Sequence, residues 1–228
     1  MKRKKLTASM IALVMSVSLP MTTYAANWYL ENGSVTVNAD NSGQTVTQGS
    51  SSAVPDEAPV ITQRESSVET GNTIAINASD NAAANVTIKD INIKSSKDAI
   101  DVTGSSSANI TLEGDNKIFS ETGSALHVSD GNVTINGSGS LKAEIQDDLG
   151  SDYNHNANIA SNCGGDGAGI GSGEDGEMSG NIVIDGNAQV EVSSNDQGAG
   201  IGSGDDGNLS GNIMIGGNAQ VSATGAEG

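Results

Sequence analysis

Aromatic residues are almost absent from this chain of 228 residues, which has one Trp, three Tyr and one Phe. An ordinary globular core takes much of its buried area from such side chains, so the interior must be built from small aliphatic residues. Cys163 is the single cysteine, which excludes a disulfide within the chain as a source of rigidity. We expect it to be a small buried residue; a reactive thiol and an intermolecular link are the alternatives.

Basic residues are also scarce. Four of the ten Lys and Arg lie at positions 2–5, and the remainder carries six basic against 28 acidic side chains, a formal charge of −22. Nucleic-acid binding depends on Lys and Arg that neutralise phosphates, and anionic membranes attract basic segments. We therefore expect no nucleic-acid partner and no attachment to an anionic membrane surface.

The N-terminal segment 1–25 has the pattern of an export signal. Lys2 to Lys5 form a positive stretch, positions 6–19 form a largely apolar run, and Thr23-Tyr24-Ala25 fits a small-x-small cleavage site. The apolar run is too short to span a bilayer comfortably. We predict a signal peptide at 1–25, no membrane insertion, and an extracellular or cell-surface location.

The chain repeats itself. Segments 167–197 and 198–228 match at 19 of 31 positions without a gap, both beginning with GAGIGSG. Fainter copies precede these two segments. Each unit has an Asn followed by an alternating apolar pair, at Asn85, Asn109, Asn132, Asn181 and Asn212, with a weaker sixth member at Asn158. The successive spacings from 85 to 212 are then 24, 23, 26, 23 and 31. Such internal periodicity is typical of solenoids.

Each repeat alternates apolar and polar residues with a period of two, which indicates strands. Ile182 and Ile184 are predicted to point inward and Val183 outward. One repeat later, Ile215 should stack on Ile184, and Met214 should point outward like Val183. Stacked units pair equivalent strands about 4.8 Å apart and bury a narrow aliphatic core. We predict an all-β, right-handed parallel β-helix over 68–228, with handedness from the crossover rule and the Asn residues stacked as a ladder.

The segment 26–67 differs from the repeats and is predicted to form a β-rich N-terminal cap and linker. Short strands are expected at 33–37 and 45–47, with Trp28 closing the end of the core. At the other end, Gly228 closes the second of the two long repeats. The expectation is that the last coil is exposed, and prone to fray or to self-associate end to end, or that the array continues.

Several stretches resemble a family of secreted Gram-positive bacterial proteins, the carbohydrate-binding-domain, pectate-lyase-like β-helix proteins. They are WYL-x-NGSVTV near the N-terminus, NVTIKDINI-x-SS-x-DAIDV from Asn85 to Val102, ANITLEGDN from Ala108 to Asn116, and the GAGIG repeats. The resemblance implies an extracellular, adhesin-like protein, with binding of sugar polymers in some members and calcium in some.

No catalytic motif accompanies this resemblance. Pectate-lyase-like sites use a Lys or Arg base, and this chain has neither after Lys142. Gly204-Asp205-Asp206 matches one piece of a polygalacturonase-like site, but neither His127 nor His155 flanks it. We predict no enzymatic activity, and a polysaccharide lyase or hydrolase that uses a carboxylate pair is the alternative. His127 should face solvent from a strand, and His155 should lie in a solvated turn or in a loop that touches a ligand.

The one candidate metal site is acidic. Glu174 and Asp175 recur one period later as Asp205 and Asp206, so stacking should bring four carboxylates to one edge, where Ca²⁺ accepts oxygen ligands. Solvated acidic turns are the alternative. Two functions follow: an adhesion or structural-display module that binds a polymer or protein, and a calcium-dependent protein that binds acidic carbohydrate such as extracellular polysaccharide or cell-surface glycan.

Overall fold

A computed structural model describes residues 25–145, 166–194 and 197–225 of the chain. The predicted signal peptide up to Tyr24, together with His155, Asn158 and Cys163, lies outside these residues, and the predictions made for them stay predictions. Within the described ranges there is no α-helix, and one 3-10 turn lies at Leu30–Asn32.

Twenty-two short strands make up the rest of the regular structure in these ranges. The first eight are β1 (Asn27–Tyr29), β2 (Val35–Asp40), β3 (Gly43–Gln48), β4 (Val54–Pro55), β5 (Val60–Thr62), β6 (Ile74–Ala78), β7 (Ala83–Lys89) and β8 (Asn92–Ser95). The next six are β9 (Ile100–Thr103), β10 (Ser107–Glu113), β11 (Asp115–Ser120), β12 (Leu126–Val128), β13 (Asn132–Gly137) and β14 (Ser140–Ile145). The last eight are β15 (Ile170–Gly171), β16 (Glu177–Met178), β17 (Ile182–Ile184), β18 (Gln189–Ser193), β19 (Ile201–Gly202), β20 (Asn208–Leu209), β21 (Ile213–Ile215) and β22 (Gln220–Thr224).

Twenty of these strands form three long sheets that run along the stack, and β16 and β20 form a separate two-stranded sheet. Sheet I has the order β1-β5-β7-β10-β13-β17-β21, sheet II the order β22-β18-β14-β11-β8, and sheet III the order β19-β15-β12-β9-β6-β2-β3-β4. A complete coil, such as β10, β11 and β12, contributes one strand to each sheet before the chain returns to sheet I. Pairing between these coils is parallel, so the predicted parallel β-helix is confirmed, with about five turns.

The core is a single column of aliphatic side chains. Ile110 stacks between Val86 and Ile135, and Ile184 stacks under Ile215 exactly one repeat later, as predicted. Ile110, Ile135 and Ile184 are fully buried. Val183 and Met214 lie on the outer face as predicted, Met214 being half exposed. The alternation in the sequence therefore assigned the inner and outer faces correctly.

The Asn ladder forms, but in two runs rather than one. Asn109 donates its side-chain amide to Asn85 Oδ1 at 3.0 Å, while Asn181 donates to Asn132 at 2.7 Å and Asn212 to Asn181 at 3.0 Å. The break arises because Asn132 pairs with Ser107 and not with Asn109. A slip of two residues keeps every side chain on its own face, so the period-two pattern could not detect it.

The predicted sixth repeat does not add a coil to sheet I. Val133 pairs directly with Ile182, and Leu126 pairs with Ile170, so the strand that follows β13 in sheet I is β17. The two spacings that the sequence placed on either side of Asn158 therefore make up a single step along sheet I, and Asn158 itself lies outside the described residues. The segment 146–165 falls between β14 and β15 of one coil and is an insertion relative to the other repeats.

Glycine is required where adjacent coils approach most closely. Gly171 has φ +144°, and a Cβ there would lie 1.8 Å from the carbonyl oxygen of Gly202. A Cβ on Gly180 would lie 1.8 Å from the carbonyl oxygen of Gly131. Gly171 and Gly180 therefore have to be glycine, because any side chain there would collide with the backbone of the adjacent coil.

The N-terminal cap is β-rich as predicted and is continuous with the solenoid. β2 pairs in parallel with β6 and antiparallel with β3, and β3 pairs antiparallel with β4, so the hairpin covers the end of sheet III. Trp28 packs against the core and donates its indole N–H to the buried Asp56 at 2.8 Å. Antiparallel strands laid over the end shield the edge that a parallel stack otherwise exposes.

Glutamine side chains complete this cap where no strand reaches. β5 covers β7 only at residues 87–89, which leaves Asn85 at an open edge. Gln44, which is buried, accepts a hydrogen bond from the Asn85 N–H at 2.7 Å and donates to the Asn85 carbonyl at 3.0 Å. Its amide thus substitutes for a strand at this residue. Gln63 accepts from the Asn92 N–H in the same way.

At the opposite end, the last coil is covered on one side only. Met214 is 50% and Ile215 is 55% exposed, whereas Ile184 in the coil below is fully buried. The exposed edge agrees with the expectation for these residues, and end-to-end association stays a prediction.

Candidate functional site

A groove crosses the outer face of sheet II at right angles to its strands. It encloses about 570 Å³ and passes over β11, β14, β18 and β22. Three strand-to-strand steps of about 4.8 Å give it a length of about 14 Å. Its shape suits an extended ligand that lies along the stack.

Two rows of outward side chains form the walls of the groove. One row contains Asp115, Ser140, Gln189 and Gln220, and the other contains Lys117, Lys142, Glu191 and Ser222. The floor is the strand backbone between the rows. Because successive strands are in register, each wall presents polar groups at one regular interval.

The two lysines of the groove lie directly beside each other. Lys117 is in register with Lys142 on the adjacent strand, an arrangement of like charges that destabilises a sheet. Lys142 contacts Glu144 at 2.5 Å, and this hydrogen bond raises the pKa of the Lys142 ammonium group. In the described part of the chain, Lys117 has no carboxylate within 4.0 Å. The groove therefore carries a cation that has no carboxylate partner among the described residues, in a strongly acidic protein.

The residues of the predicted calcium site lie in stacked loops between sheet III and β16 or β20. Asp175 and Asp206 occupy equivalent positions, with φ of 51° and 49°, and the Asp175 N–H donates to the Asp205 carbonyl at 2.9 Å. The stacking of the two loops is thus as expected. Glu174 and Asp175 are exposed. Calcium binding by Glu174, Asp175, Asp205 and Asp206 stays a prediction.

A different cluster brings metal-ligating groups closer together. Among the described residues, Asp98, Asp101 and His127 are the only group of three or more such side chains whose ligand atoms all lie within 4.8 Å of one another. Asp101 on β9 is in register with His127 on β12, and His127 Nδ1 lies 2.8 Å from Asp101 Oδ1. Asp98 precedes β9 and accepts a hydrogen bond from the Ser124 N–H at 2.7 Å.

Electrostatics in this cluster favour positive charge. The hydrogen bond to Asp101 raises the pKa of the His127 imidazole, and the nearby Asp98 charge adds to the effect. Burial raises the pKa of the Asp98 carboxyl, and the Ser124 N–H partly offsets that increase. Both shifts reflect carboxylates that share a partly desolvated site with one imidazole.

The expectation that His127 faces open solvent was wrong. Its side chain does point outward, but it is only 24% exposed and is bonded to Asp101. A signal for this contact was present in the sequence, because Ala99-Ile100-Asp101-Val102 and Ala125-Leu126-His127-Val128 share one pattern. If the two segments are aligned as equivalent strands of adjacent coils, the His127 imidazole lies beside the Asp101 carboxylate.

Comparison with known proteins gives no further assignment: no family model, curated protein or solved structure matches the chain. The family resemblance in the sequence therefore stays a prediction. In the described ranges, no helix has the length and apolar character needed to cross a membrane.

Proposed function

We propose that the chain is a non-enzymatic, exported β-helix module that binds an extended acidic polysaccharide along the groove of sheet II. The observation that carries this proposal is a polar groove that crosses four strands and contains Lys117, which has no carboxylate partner among the described residues. The predicted signal peptide supports export, and the resemblance to carbohydrate-binding β-helix proteins supports the class of ligand.

The chemistry of the groove matches a sugar polymer that carries carboxylates. Lys117 supplies a cation for one acidic group, and charge-assisted hydrogen bonds of this kind are stronger than neutral ones. Gln189 and Gln220 supply amides that both donate to and accept from sugar hydroxyls. The regular interval along each wall favours a ligand with its own repeating unit, which distinguishes a polymer from a compact metabolite.

A binding experiment with charge-matched variants tests this proposal. The purified chain is passed over immobilised polygalacturonate and over a neutral glucan, and binding is compared for Lys117→Gln and Lys89→Gln. Lys89 lies on sheet I, paired with Glu113 at 3.2 Å, so its variant removes the same charge away from the groove. We expect Lys117→Gln to weaken retention on polygalacturonate several-fold while Lys89→Gln retains it. Equal behaviour of the two variants would exclude the groove.

The calcium-dependent alternative rests on the stacked acidic loops that contain Asp175 and Asp206. Repeating the retention assay with chelator separates the two modes. Binding through the groove persists without calcium and weakens in Lys117→Gln. Binding through a loop-held ion is lost with chelator and in an Asp175→Asn, Asp206→Asn double variant.

A further inference from the structure

We propose that Asp98, Asp101 and His127 form a site for a divalent transition metal, with Zn²⁺ the best match to the donor set. The three side chains offer two carboxylate oxygens and one imidazole nitrogen within 4.8 Å of one another. Imidazole with carboxylates selects zinc and its neighbours over calcium, which takes oxygen ligands. The site lies on sheet III and is independent of the groove on sheet II.

The distances are close to those that such an ion needs. Ligands about 2.1 Å from a tetrahedral zinc are separated from each other by roughly 3.4 Å. The Asp101 to His127 contact of 2.8 Å is slightly shorter, and the upper limit of 4.8 Å for the group is longer. Small side-chain rotations therefore suffice, without movement of the strands.

The backbone holds all three ligands in place. Asp101 and His127 occupy paired positions on adjacent parallel strands, whose spacing is fixed by the ladder of the sheet. The Ser124 N–H orients the Asp98 carboxylate from the coil that carries His127. Partners of this kind fix the orientation of metal ligands and strengthen binding.

Space and charge also favour a cation here. The residues in register on either side of the pair are Ala75 and Gly171, so the two in-register neighbours carry no side chain longer than a methyl group. Across the described ranges, no Lys or Arg forms an ion pair with Asp98 or Asp101. Two carboxylates are thus balanced by His127 alone, and a divalent ion supplies the missing positive charge.

Calorimetric titration with zinc chloride tests the site. The full chain carries Cys163→Ser, which removes thiol binding, and is stripped of metal with chelator before titration. We expect about one zinc per chain, an affinity at least about tenfold lower in His127→Gln or Asp98→Asn, and no change in His155→Gln, the matched variant at the other histidine. Calcium should give no heat that depends on His127.

Circular dichroism establishes that each variant keeps its strand content, and the milder Asp98→Asn serves if His127→Gln does not fold. Absence of zinc binding by the parent chain overturns the proposal, as does an unchanged zinc isotherm in both site variants. Loss of binding in His155→Gln, with His127→Gln unaffected, assigns the zinc to a different histidine and also overturns it.

Discussion

Replacing Gln44 should destabilise the whole N-terminal end of the solenoid. Gln44 is only 2% exposed, and its side-chain amide makes three hydrogen bonds to main-chain groups: one from the Asn85 N–H at 2.7 Å, and two donated to the carbonyls of Asn85 and Asp56 at 3.0 and 2.8 Å. At a net value of about 0.5–1.5 kcal/mol for each of the three bonds, Gln44→Ala should lower the free energy of unfolding by about 1.5–4.5 kcal/mol.

Gln44→Glu makes the sharper test because it preserves the shape of the side chain. The carboxylate still accepts from the Asn85 N–H but can no longer donate to either carbonyl, and it lies near Glu57, whose Oε1 already accepts from the Gln44 N–H at 3.1 Å. We expect this variant to be at least as unstable as Gln44→Ala at pH 7, with partial recovery near pH 4, where protonation of the carboxyl restores one donor.

Urea denaturation of the purified variants measures both effects, with Gln189→Glu as the matched control. Gln189 is exposed on sheet II, so its replacement should change stability by less than about 0.5 kcal/mol. Hydrogen exchange at the Asn85 amide supplies a local measurement, because Gln44 is its partner. Equal stability of the two Glu variants, with Asn85 still protected, would refute the role of glutamine as a substitute for a strand.

Three further predictions concern single positions. In urea denaturation, Ile184→Ala should lower the free energy of unfolding by about 2–5 kcal/mol, and Ile215→Ala should lower it by less than half as much. The reason is that the Ile184 side chain is fully buried whereas Ile215 is 55% exposed. Equal losses would mean that the last coil is covered. In metal-free protein, the hydrogen bond to Asp101 raises the pKa of His127 in the folded state. The charged His127 should therefore add about 0.5–1 kcal/mol to the free energy of unfolding below pH 6.5, and this stabilisation should be lost as the pH rises through the folded-state pKa. A stability difference between parent and His127→Gln that is larger at pH 8.5 than at pH 5.5 would contradict this. Millimolar calcium should raise the melting temperature more than matched monovalent salt does, and Asp175→Asn with Asp206→Asn should abolish the excess; equal responses to the two salts would leave only screening.

The sequence predicted the architecture because one requirement repeats along it. Every coil must place aliphatic residues inward at alternate positions, and Ile110, Ile135 and Ile184 satisfy it with the same local pattern. The pairing of neighbouring coils was harder to predict. Asn132 stands two residues out of register with Asn109, and only the contacts between neighbouring coils distinguish that pairing from the one in which the two Asn align.

The candidate sites depended on information that single segments do not contain. The groove of sheet II combines Lys117 with Gln220, which lies three coils later in the chain, and no local motif links them. The contact between Asp101 and His127 was accessible in principle by aligning the two segments that contain them, but an isolated His between two apolar residues usually indicates an exposed strand position. Asp101 and His127 come together only because the strands of adjacent coils pair in one particular register.

Parallel stacking places the outward side chains of one column close together, so like charges within a column are unfavourable. Two of the proposed binding sites lie where like charges are nevertheless retained. Residues of one column repeat about every 4.8 Å, where two like charges repel by about 0.9 kcal/mol in water and about 3.5 kcal/mol at an effective dielectric of 20. Several columns avoid this cost: Asn stacks on Asn with a donor and an acceptor, and Lys89 lies in register with Glu113.

Among the described residues, like charges lie in adjacent coils at Lys117 and Lys142, and in the stacked acidic loops that contain Asp175 and Asp206. In the proposed binding modes, an anionic polymer would offset the first repulsion and a calcium ion would offset the second. If ligand binding offsets the repulsion between Lys117 and Lys142, replacing Lys117 by Gln should raise the free energy of unfolding of the unliganded chain. The same replacement should lower the affinity for polygalacturonate. A variant that loses both stability and affinity would instead show that Lys117 contributes to the fold.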